Sequence, residues 1–312
     1  MPKRSPVRVV DDIPLYNENR YWGKVPEKEM EEGVHTIEKE GWEAFRKKYE
    51  KRLDVAFHDG HADWRYEMPL TSDWTVLDTG AGLGRNTIPL ARVVKKVVAF
   101  DQSLVRMRYL KKRLEKEQLS NVELFVGDLF DAPLEPHSFD MIAMNGVLEW
   151  VGMSDRYENG RDGQLAALRK CKELLKPGGY LYIGIENRYS FVYLHVADHI
   201  GLMWTSFMPR FLSRPYVRWR QGLPYKTYTY SKRGYERLLQ EAGFTKQEFF
   251  LPHPGYNMPR MIVRYDDMRS LSYLLRNLTR VRNGLLRACI GIPFVLRIYR
   301  YFFFSFNITA QV

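Results

Sequence analysis

The chain has 312 residues, of which 45% are hydrophobic and 27% charged; this indicates a folded protein with a core and excludes global disorder. Its two cysteines, Cys171 and Cys289, lie far apart, which excludes a disulfide framework and a cysteine-based zinc cluster. The net charge of +11 is unevenly distributed: residues 1–199 hold 30 basic and 32 acidic residues, whereas residues 200–312 hold 18 and 5. The last third is therefore expected to meet an anionic partner: nucleic acid, lipid or substrate.

Residues 1–70 are predicted to form an N-terminal helical extension. The stretch from Pro26 to Leu53 has a helical pattern that is interrupted near Gly33 and Gly41. The N-terminus lacks the apolar run of a signal peptide, so a reducing, cytoplasmic location is expected.

Residues 71–267 are predicted to form one α/β domain with a doubly wound, mostly parallel sheet. Short apolar runs alternate there with amphipathic stretches. The predicted strands are Thr75–Thr79, Lys96–Asp101, Val122–Asp128, Asp140–Asn145 and Tyr180–Asn187. The predicted helices are Asn86–Val94, Leu104–Gln118 and Gln164–Leu175. Near-continuous apolar strands are typical of a parallel sheet covered on both faces.

The alternation breaks at residues 189–223, which are rich in aromatic residues and arginine and are interpreted as an insertion. A helix is then predicted over Ser231–Ala242, with Ser231 as its N-cap and Gly243 at its end. An antiparallel strand pair follows at Lys246–Leu251 and Met261–Tyr265. Residues 268–312 are predicted to form an apolar, basic helical tail.

The segment VLDTGAGLG, Val76–Gly84, carries the strongest functional signal. Its glycines, Gly80, Gly82 and Gly84, permit close approach of a ligand to the backbone at the start of a helix. Dehydrogenases share such a turn, so by itself it is a weak signal. Polar residues also end the following strands, namely Asp101, Asp128 and Asn145. This is the sheet edge at which α/β proteins bind ligands.

This set, together with LLKPGG before the fifth strand, resembles the class I S-adenosylmethionine-dependent methyltransferases. The resemblance covers about residues 70–265 and implies a Rossmann-like, seven-stranded sheet whose last strand is antiparallel. It implies that Asp78 contacts the methionine part of the cofactor S-adenosylmethionine, Asp101 the ribose and Asp128 the adenine. The cofactor-binding residues expected on this basis are Asp78, Gly80, Ala81, Gly82, Gly84, Asp101, Gln102, Asp128, Leu129 and Asn145. No metal site is predicted.

A narrower resemblance lies in the segments DWRYEMPL, NGVLEWVG, GIENRYSFVYL and TYTYSKRGYERLLQEAGF. They are similar to methyltransferases associated with cell-surface polysaccharide and glycoconjugate synthesis. The resemblance implies O-methylation of a glycan or lipid-linked intermediate. A sugar hydroxyl needs a general base, for which the candidates are His199, His195, Asp198 and Glu149. Glu186 is interpreted either as an acceptor contact or as a turn cap.

The aromatic and arginine-rich segments 189–223 and 271–306 leave several partners open. Peripheral contact with the inner face of a membrane is one expectation, and packing onto the domain or a second copy of the chain is another. An RNA methyltransferase using the basic last third is the rival function. A non-catalytic, S-adenosylmethionine-binding scaffold is a third hypothesis.

Overall fold

The structure, a computed structural model, describes residues 5–17, 19–21, 25–53, 59–154, 156–277 and 292–312, with backbone only for residues 50–53. The chain divides into two compact units. The first comprises Met1–Ala143 and Glu173–Gly179, and the second Met144–Lys172 and Tyr180–Val312. Across the described ranges, no helix combines the length and the apolar character needed to cross a membrane.

The first unit is built around a mostly parallel sheet. Its strands are β1 (Arg8–Val10), β2 (Ile13–Leu15), β3 (Thr75–Thr79), β4 (Lys96–Asp101), β5 (Val122–Val126) and β6 (Phe139–Asn145), the last two residues of β6 belonging to the second unit. They lie in the order β1-β2-β5-β4-β3-β6. β3 pairs in parallel with β4 and β6, and β4 pairs in parallel with β5. The predicted parallel α/β arrangement is therefore confirmed in this unit.

The described residues of this unit form three α-helices and a 3₁₀ helix: α1 (Glu27–Leu53), α2 (Thr87–Ala91), α3 (Leu104–Glu117) and the 3₁₀ helix Asp59–Glu67. The predicted interruption of α1 at Gly41 is confirmed, because Gly41 has a non-helical φ of 86°. The predicted interruption at Gly33 is wrong. Gly33 is helical, and a Cβ atom there would lie 2.9 Å from Cε2 of Phe45, so glycine lets the two halves of α1 pack together.

The N-terminal extension was predicted to be helical, but it begins with the hairpin β1–β2. Val10 pairs with Ile13 across a two-residue turn in which Asp11 and Asp12 have φ values of 51° and 60°. Two positive φ values are typical of the type I′ turn that joins antiparallel strands. Strand β2 then pairs in parallel with β5, which places this hairpin at the edge of the sheet.

The second unit contains an antiparallel sheet in the order β7-β10-β8-β9. Its strands are β7 (Leu175–Glu186, entering this unit at Tyr180), β8 (Lys246–His253), β9 (Met261–Arg264) and β10 (Ser305–Gln311). β8 and β9 pair antiparallel, which confirms the strand pair predicted there. Because β1, β2 and β10 were not foreseen as strands, the described residues form ten strands and not the expected seven.

Strand β10 corrects the prediction that the tail is helical throughout. It pairs with β7 on one side and β8 on the other, and its residues Ser305–Ala310 are all buried. Its sequence, SFNITAQ, alternates polar and apolar residues as a strand does, and the prediction of a helical tail overlooked this short signal after the apolar run that precedes it. Residues 278–291 of the predicted tail lie outside the described residues.

The described helices of the second unit are α4 (Leu148–Val151), α5 (Gly160–Leu174, ending in the first unit), α6 (Arg210–Gln221), α7 (Lys232–Ala242), α8 (Met268–Asn277) and α9 (Pro293–Tyr301). The predicted caps of α7 are confirmed. Ser231 accepts a hydrogen bond from the Gly234 N–H, and Gly243 adopts a φ of 93°. Cys171 in α5 is fully buried, and burial raises the pKa of its thiol to about 12, as expected of a packing residue.

Candidate active site

The turn after β3 has the backbone conformation that its glycines predict. Gly80, Gly82 and Gly84 have φ values of 64°, 54° and 81°, in the left-handed region that favours glycine. A Cβ atom on Gly84 would lie 2.3 Å from Cδ1 of Leu110, so this glycine allows α3 to pack closely. A Cβ atom on Gly82 would come no nearer than 3.8 Å to any neighbour, the carbonyl oxygen of Gly80. Gly82 therefore leaves open space beside the turn, as a bound ligand requires.

Asp101 lies at the end of β4 and is oriented by backbone donors. Its Oδ2 accepts a hydrogen bond from the Gly82 N–H at 3.0 Å, and its Oδ1 accepts one from the Ser103 N–H at 3.0 Å. Nη1 of Arg106 lies 3.7 Å from Oδ2. Each carboxylate oxygen can accept more than one hydrogen bond, so Asp101 keeps acceptor capacity for the two hydroxyls of a ribose. The residues present thus fit the predicted cofactor at this point.

Asp78, at the carboxyl-terminal part of β3, is fully buried. Its Oδ2 accepts a hydrogen bond from the Thr87 hydroxyl at 2.6 Å. Burial raises the pKa of Asp78 to about 7, although the hydrogen bond from Thr87 acts in the opposite direction. A carboxyl group with this pKa changes its charge near neutral pH, where a positively charged ligand would favour the ionised form.

The remaining predicted cofactor residues of the first unit follow β3, β4 and β5. One carboxylate oxygen of Asp128 is hydrogen-bonded within its own turn: Oδ1 accepts hydrogen bonds from the N–H groups of Phe130 and Asp131 at 2.8 and 2.9 Å. Ala81 and Leu129 are each 6% exposed and offer apolar surface. Gln102 is exposed, and its carbonyl oxygen accepts the Arg20 N–H at 2.9 Å.

Asn145, the last residue of β6, belongs to the second unit and is 8% exposed. Its side chain occupies space that a glycine on β7 leaves free. A Cβ atom on Gly184 would lie 2.0 Å from Oδ1 of Asn145. The sequence YIGIEN therefore places a glycine where the predicted asparagine needs room.

Two of the predicted catalytic residues, Glu149 and His199, converge in the second unit with Glu186. One carboxylate oxygen of Glu149, one of Glu186 and a ring nitrogen of His199 all lie within 4.8 Å of one another. Glu149 follows β6 in α4, Glu186 ends β7, and His199 lies in the insertion. Three segments that are distant in the sequence thus form one cluster, which we call the Glu–Glu–His cluster.

The proton affinities within this cluster are raised. Burial, and then the negative charge of Glu186, raise the pKa of Glu149 well above its ordinary value. Burial alone would lower the pKa of His199, but contact with Glu186 and the charge of Glu149 raise it above its ordinary value. The imidazole Nε2 lies 3.3 Å from Oε2 of Glu186, an ion-pair distance.

The structure places the other two predicted catalytic residues differently. His195 is exposed just after the 3₁₀ helix Phe191–Leu194. Asp198 accepts hydrogen bonds from the N–H groups of Ile200 and Leu202 and from the hydroxyls of Thr205 and Tyr225. Both carboxylate oxygens of Asp198 therefore accept hydrogen bonds that stabilise the insertion loop.

One neighbour of the cluster was not foreseen. The Tyr256 hydroxyl donates a hydrogen bond to Oε1 of Glu186 at 3.0 Å. The hydroxyl oxygen of Tyr256 would also lie 2.9 Å from a Cβ atom on Gly146, so glycine at that position makes room for the ring. Tyr256 lies more than 65 residues from Glu186 in the chain, and no local sequence pattern marks the pair.

Residues 77–183 match the Methyltransf_11 family, described as a methyltransferase domain. A protein described as a probable ribosomal RNA small subunit methyltransferase A, from Methanosphaera stadtmanae, is 34% identical over 71 residues, 23% of this chain and 26% of that protein. The chain therefore spans about a quarter of the length of this relative. A demethylmenaquinone methyltransferase from Staphylococcus aureus is 25% identical over 228 residues, 70% of this chain and 87% of that protein.

Among solved structures, an S-adenosylmethionine-dependent methyltransferase from Aquifex aeolicus aligns with 85% of this chain and 96% of its own, at 16% identity and a TM-score of 0.46. The family match covers the glycine turn, the strand-end residues Asp101, Asp128 and Asn145, and most of β7. Residues 77–183 therefore match a methyltransferase domain, and this match includes the residues predicted to hold S-adenosylmethionine.

Proposed function

We propose that the whole chain is an S-adenosylmethionine-dependent methyltransferase that methylates an oxygen of a glycan or lipid-linked intermediate at a membrane surface. The observation that carries the choice of acceptor is the exposed surface of α6. Phe211 and Trp219 are 75% and 77% exposed on this helix, among exposed arginines. Exposed aromatic residues that share one face of a helix form the kind of apolar patch that marks an interaction site.

The residues of α6 divide into two faces. Phe211, Pro215 and Trp219 recur every four residues and therefore lie on one face, which is exposed, whereas Ser213 and Val217 are buried. Exposed arginines at 214, 218 and 220 accompany the aromatic face. Aromatic rings settle at the depth of lipid headgroups and guanidinium groups pair with phosphates, so α6 has the composition of a helix that lies on an anionic membrane.

The charge distribution supports an anionic surface as the partner of the second unit. Residues 200–312 carry a net charge of +13, from 18 basic and 5 acidic residues. Further exposed aromatic residues of this unit include Tyr273 on α8 at 60% and Phe294 on α9 at 69%. An anionic membrane would attract this unit electrostatically and accept its aromatic side chains.

The first unit would hold the cofactor through the turn at Gly80–Gly84 and through Asp78 and Asp101. When bound, S-adenosylmethionine supplies an electrophilic methyl group on a sulfonium sulfur. An acceptor hydroxyl must lose its proton as its oxygen forms the new bond to the methyl carbon, so the protein has to lower the proton affinity of that hydroxyl or accept the proton. We assign this acceptor-side role to the cluster that contains Glu149 and His199.

The relatives support the reaction type but not one acceptor. Their names give ribosomal RNA in one case and demethylmenaquinone in another. The acceptor proposed here therefore rests on α6 and on the charge of the second unit.

The proposal is tested by incubating the purified full chain with methyl-labelled S-adenosylmethionine and separate lipid, polysaccharide and RNA fractions of the source organism. We expect label in the lipid or polysaccharide fraction and none with Asp101→Ala. Label confined to RNA would refute the acceptor, and cofactor binding without label in any fraction would favour the scaffold hypothesis.

Attachment to membranes is tested separately by flotation with vesicles that contain phosphatidylglycerol. The double substitution F211S/W219S should remove vesicle binding and leave binding of S-adenosylhomocysteine unchanged. Tyr66→Ser is the matched control, because Tyr66 is 77% exposed but lies in the first unit. Equal flotation of the double variant and the wild type would contradict the membrane assignment.

A further inference from the structure

The Glu–Glu–His cluster contains three buried polar atoms that make no well-formed hydrogen bond to the described residues, although two of them form the ion pair between His199 and Glu186. They are Oε2 of Glu149, Oε2 of Glu186 and Nε2 of His199. The potential ligand atoms of the three residues all lie within 4.8 Å of one another. Unpartnered polar atoms are uncommon in protein interiors, and Oε2 of Glu149, which has neither a hydrogen bond nor an ion pair among the described residues, suggests a ligand at this cluster.

Burial makes the cluster costly without such a ligand. Glu149 is 1% exposed, and Glu186 and His199 are about one-fifth exposed at their side chains. Among the described residues, these two carboxylates make one ion pair, which joins Glu186 to His199. Because burial favours the protonated form of Glu149, ionisation of this carboxyl group requires a compensating cation such as a bound metal ion.

The surroundings hold two of these side chains in place. The Tyr256 hydroxyl donates to Oε1 of Glu186, which leaves Oε2 directed towards the cluster. The ring centroid of His199 lies 5.1 Å from that of Trp150, which limits rotation of the imidazole. Hydrogen-bonded carboxylates and oriented imidazoles are what metal sites use to fix their ligands.

We infer that Glu149, Glu186 and His199 bind one divalent first-row transition-metal ion, such as Mn²⁺ or Zn²⁺. Two carboxylates balance the charge of a divalent cation, and an imidazole ligand favours Mn²⁺ or Zn²⁺ over Mg²⁺ or Ca²⁺. Ligand atoms placed about 2.1 Å from an ion lie no more than about 4.2 Å apart. Closing the cluster around an ion thus requires side-chain movements of less than an ångström.

Three protein ligands leave coordination positions open. If the proposed function holds, an acceptor oxygen would occupy one of them, the positive charge of the ion would lower the pKa of its hydroxyl, and the hydroxyl proton would pass to water. The three side chains would then act as metal ligands, and the ion, by lowering this pKa, would replace a side-chain general base. Binding of the metal itself does not depend on that role.

The experiment uses the full chain, stripped of metal with a chelator and titrated with Mn²⁺ in the absence of cofactor and acceptor. Loss of the free Mn²⁺ signal in electron paramagnetic resonance, and calorimetry with Zn²⁺, report binding directly. We expect one equivalent to bind at micromolar concentration. No saturable binding of either ion at millimolar concentration would overturn the inference.

Variants locate the site. Glu149→Gln removes one ligand at nearly constant size and should abolish saturable binding, whereas Tyr256→Phe should weaken it by about 10- to 100-fold by releasing Glu186. Glu248→Gln, which alters an exposed glutamate of β8 that pairs with Arg264, is the control and should bind as the wild type does. Unchanged binding in Glu149→Gln would place the metal elsewhere and refute the site.

Failure of this inference and failure of the proposed function have different signatures. Metal binding without methyl transfer to any fraction would leave the site intact and refute the activity. Methyl transfer by metal-free protein, unaffected by a chelator, would leave the activity intact and refute the site's role.

Discussion

Two glycines of the turn after β3 can be compared, because replacing each by alanine adds the same methyl group but only one of the two methyl groups meets a neighbouring side chain. Gly82→Ala and Gly84→Ala each add a single methyl group at a positive φ, so each costs about 1–2 kcal/mol of folding free energy through the left-handed backbone. At Gly84 the new methyl carbon would also lie 2.3 Å from Leu110, and such overpacking costs a further 1–3 kcal/mol, roughly. At Gly82 it meets no atom closer than 3.8 Å.

We therefore expect Gly84→Ala to destabilise the chain by about 1–3 kcal/mol more than Gly82→Ala does. Urea unfolding of the cofactor-free chain, followed by tryptophan fluorescence and far-ultraviolet circular dichroism, measures this difference if the m-values agree. Alanine also lowers the conformational entropy of the unfolded chain, but this stabilising effect is the same in both variants and cancels in the comparison.

Cofactor binding should show the opposite order. Because the space beside Gly82 is open in the structure, we expect Gly82→Ala to weaken S-adenosylhomocysteine binding by at least about tenfold, or about 1.4 kcal/mol. Folded Gly84→Ala should bind within a few-fold of the wild type. Calorimetry at a temperature where both variants are folded provides the measurement. Equal destabilisation together with equal affinity would refute the different roles assigned to the two glycines.

Three further outcomes follow from the site. Asp101→Ala should lose measurable S-adenosylhomocysteine binding in calorimetry yet keep its circular dichroism spectrum, and near-native affinity would contradict the ribose assignment. Burial holds the pKa of Asp78 at about 7, so the stability present below pH 4 is lost as pH rises towards and through 7; Asp78→Asn should remove up to about 3 kcal/mol of this dependence in urea unfolding at pH 4.5 and 8, and an unchanged dependence would argue against it. Gly184→Ala should destabilise the fold by about 1–3 kcal/mol, because its methyl group overlaps Asn145, and G184A/N145A should recover most of the loss, which thermal unfolding would show.

The sequence was sufficient for the features that depend on neighbouring residues. The strands at Thr75–Thr79 and Lys96–Asp101 have the predicted ends, and the caps of α7 are those expected from Ser231 and Gly243. Each of these follows from apolar runs, glycines or capping residues within a few positions. The cofactor side is readable for the same reason, since its residues follow the ends of predicted strands.

Features that depend on distant partners were not predictable. β10 lies between β7 and β8, partners that are distant in the chain; its sequence, SFNITAQ, alternates like a strand, but nothing local shows that it is inserted into a buried sheet. The hairpin β1–β2 turns at Asp11 and Asp12, a weaker turn signal than Asn-Gly. Glu149, Glu186 and His199 were each noticed as isolated candidates, and the fold alone showed that they meet.

The position of β10 between β7 and β8 also has a consequence for how the chain reaches its native state. Ile308 pairs with Ile183 and Phe249, contacts that close loops of more than 120 and more than 55 residues. Contacts of such long range form late and slow folding. Until β10 arrives, the edges of β7 and β8 that it covers have free backbone hydrogen-bonding groups, which can recruit strands from other molecules. During synthesis, the nascent second unit is therefore expected to need protection from aggregation for as long as it takes to translate the residues between β8 and β10.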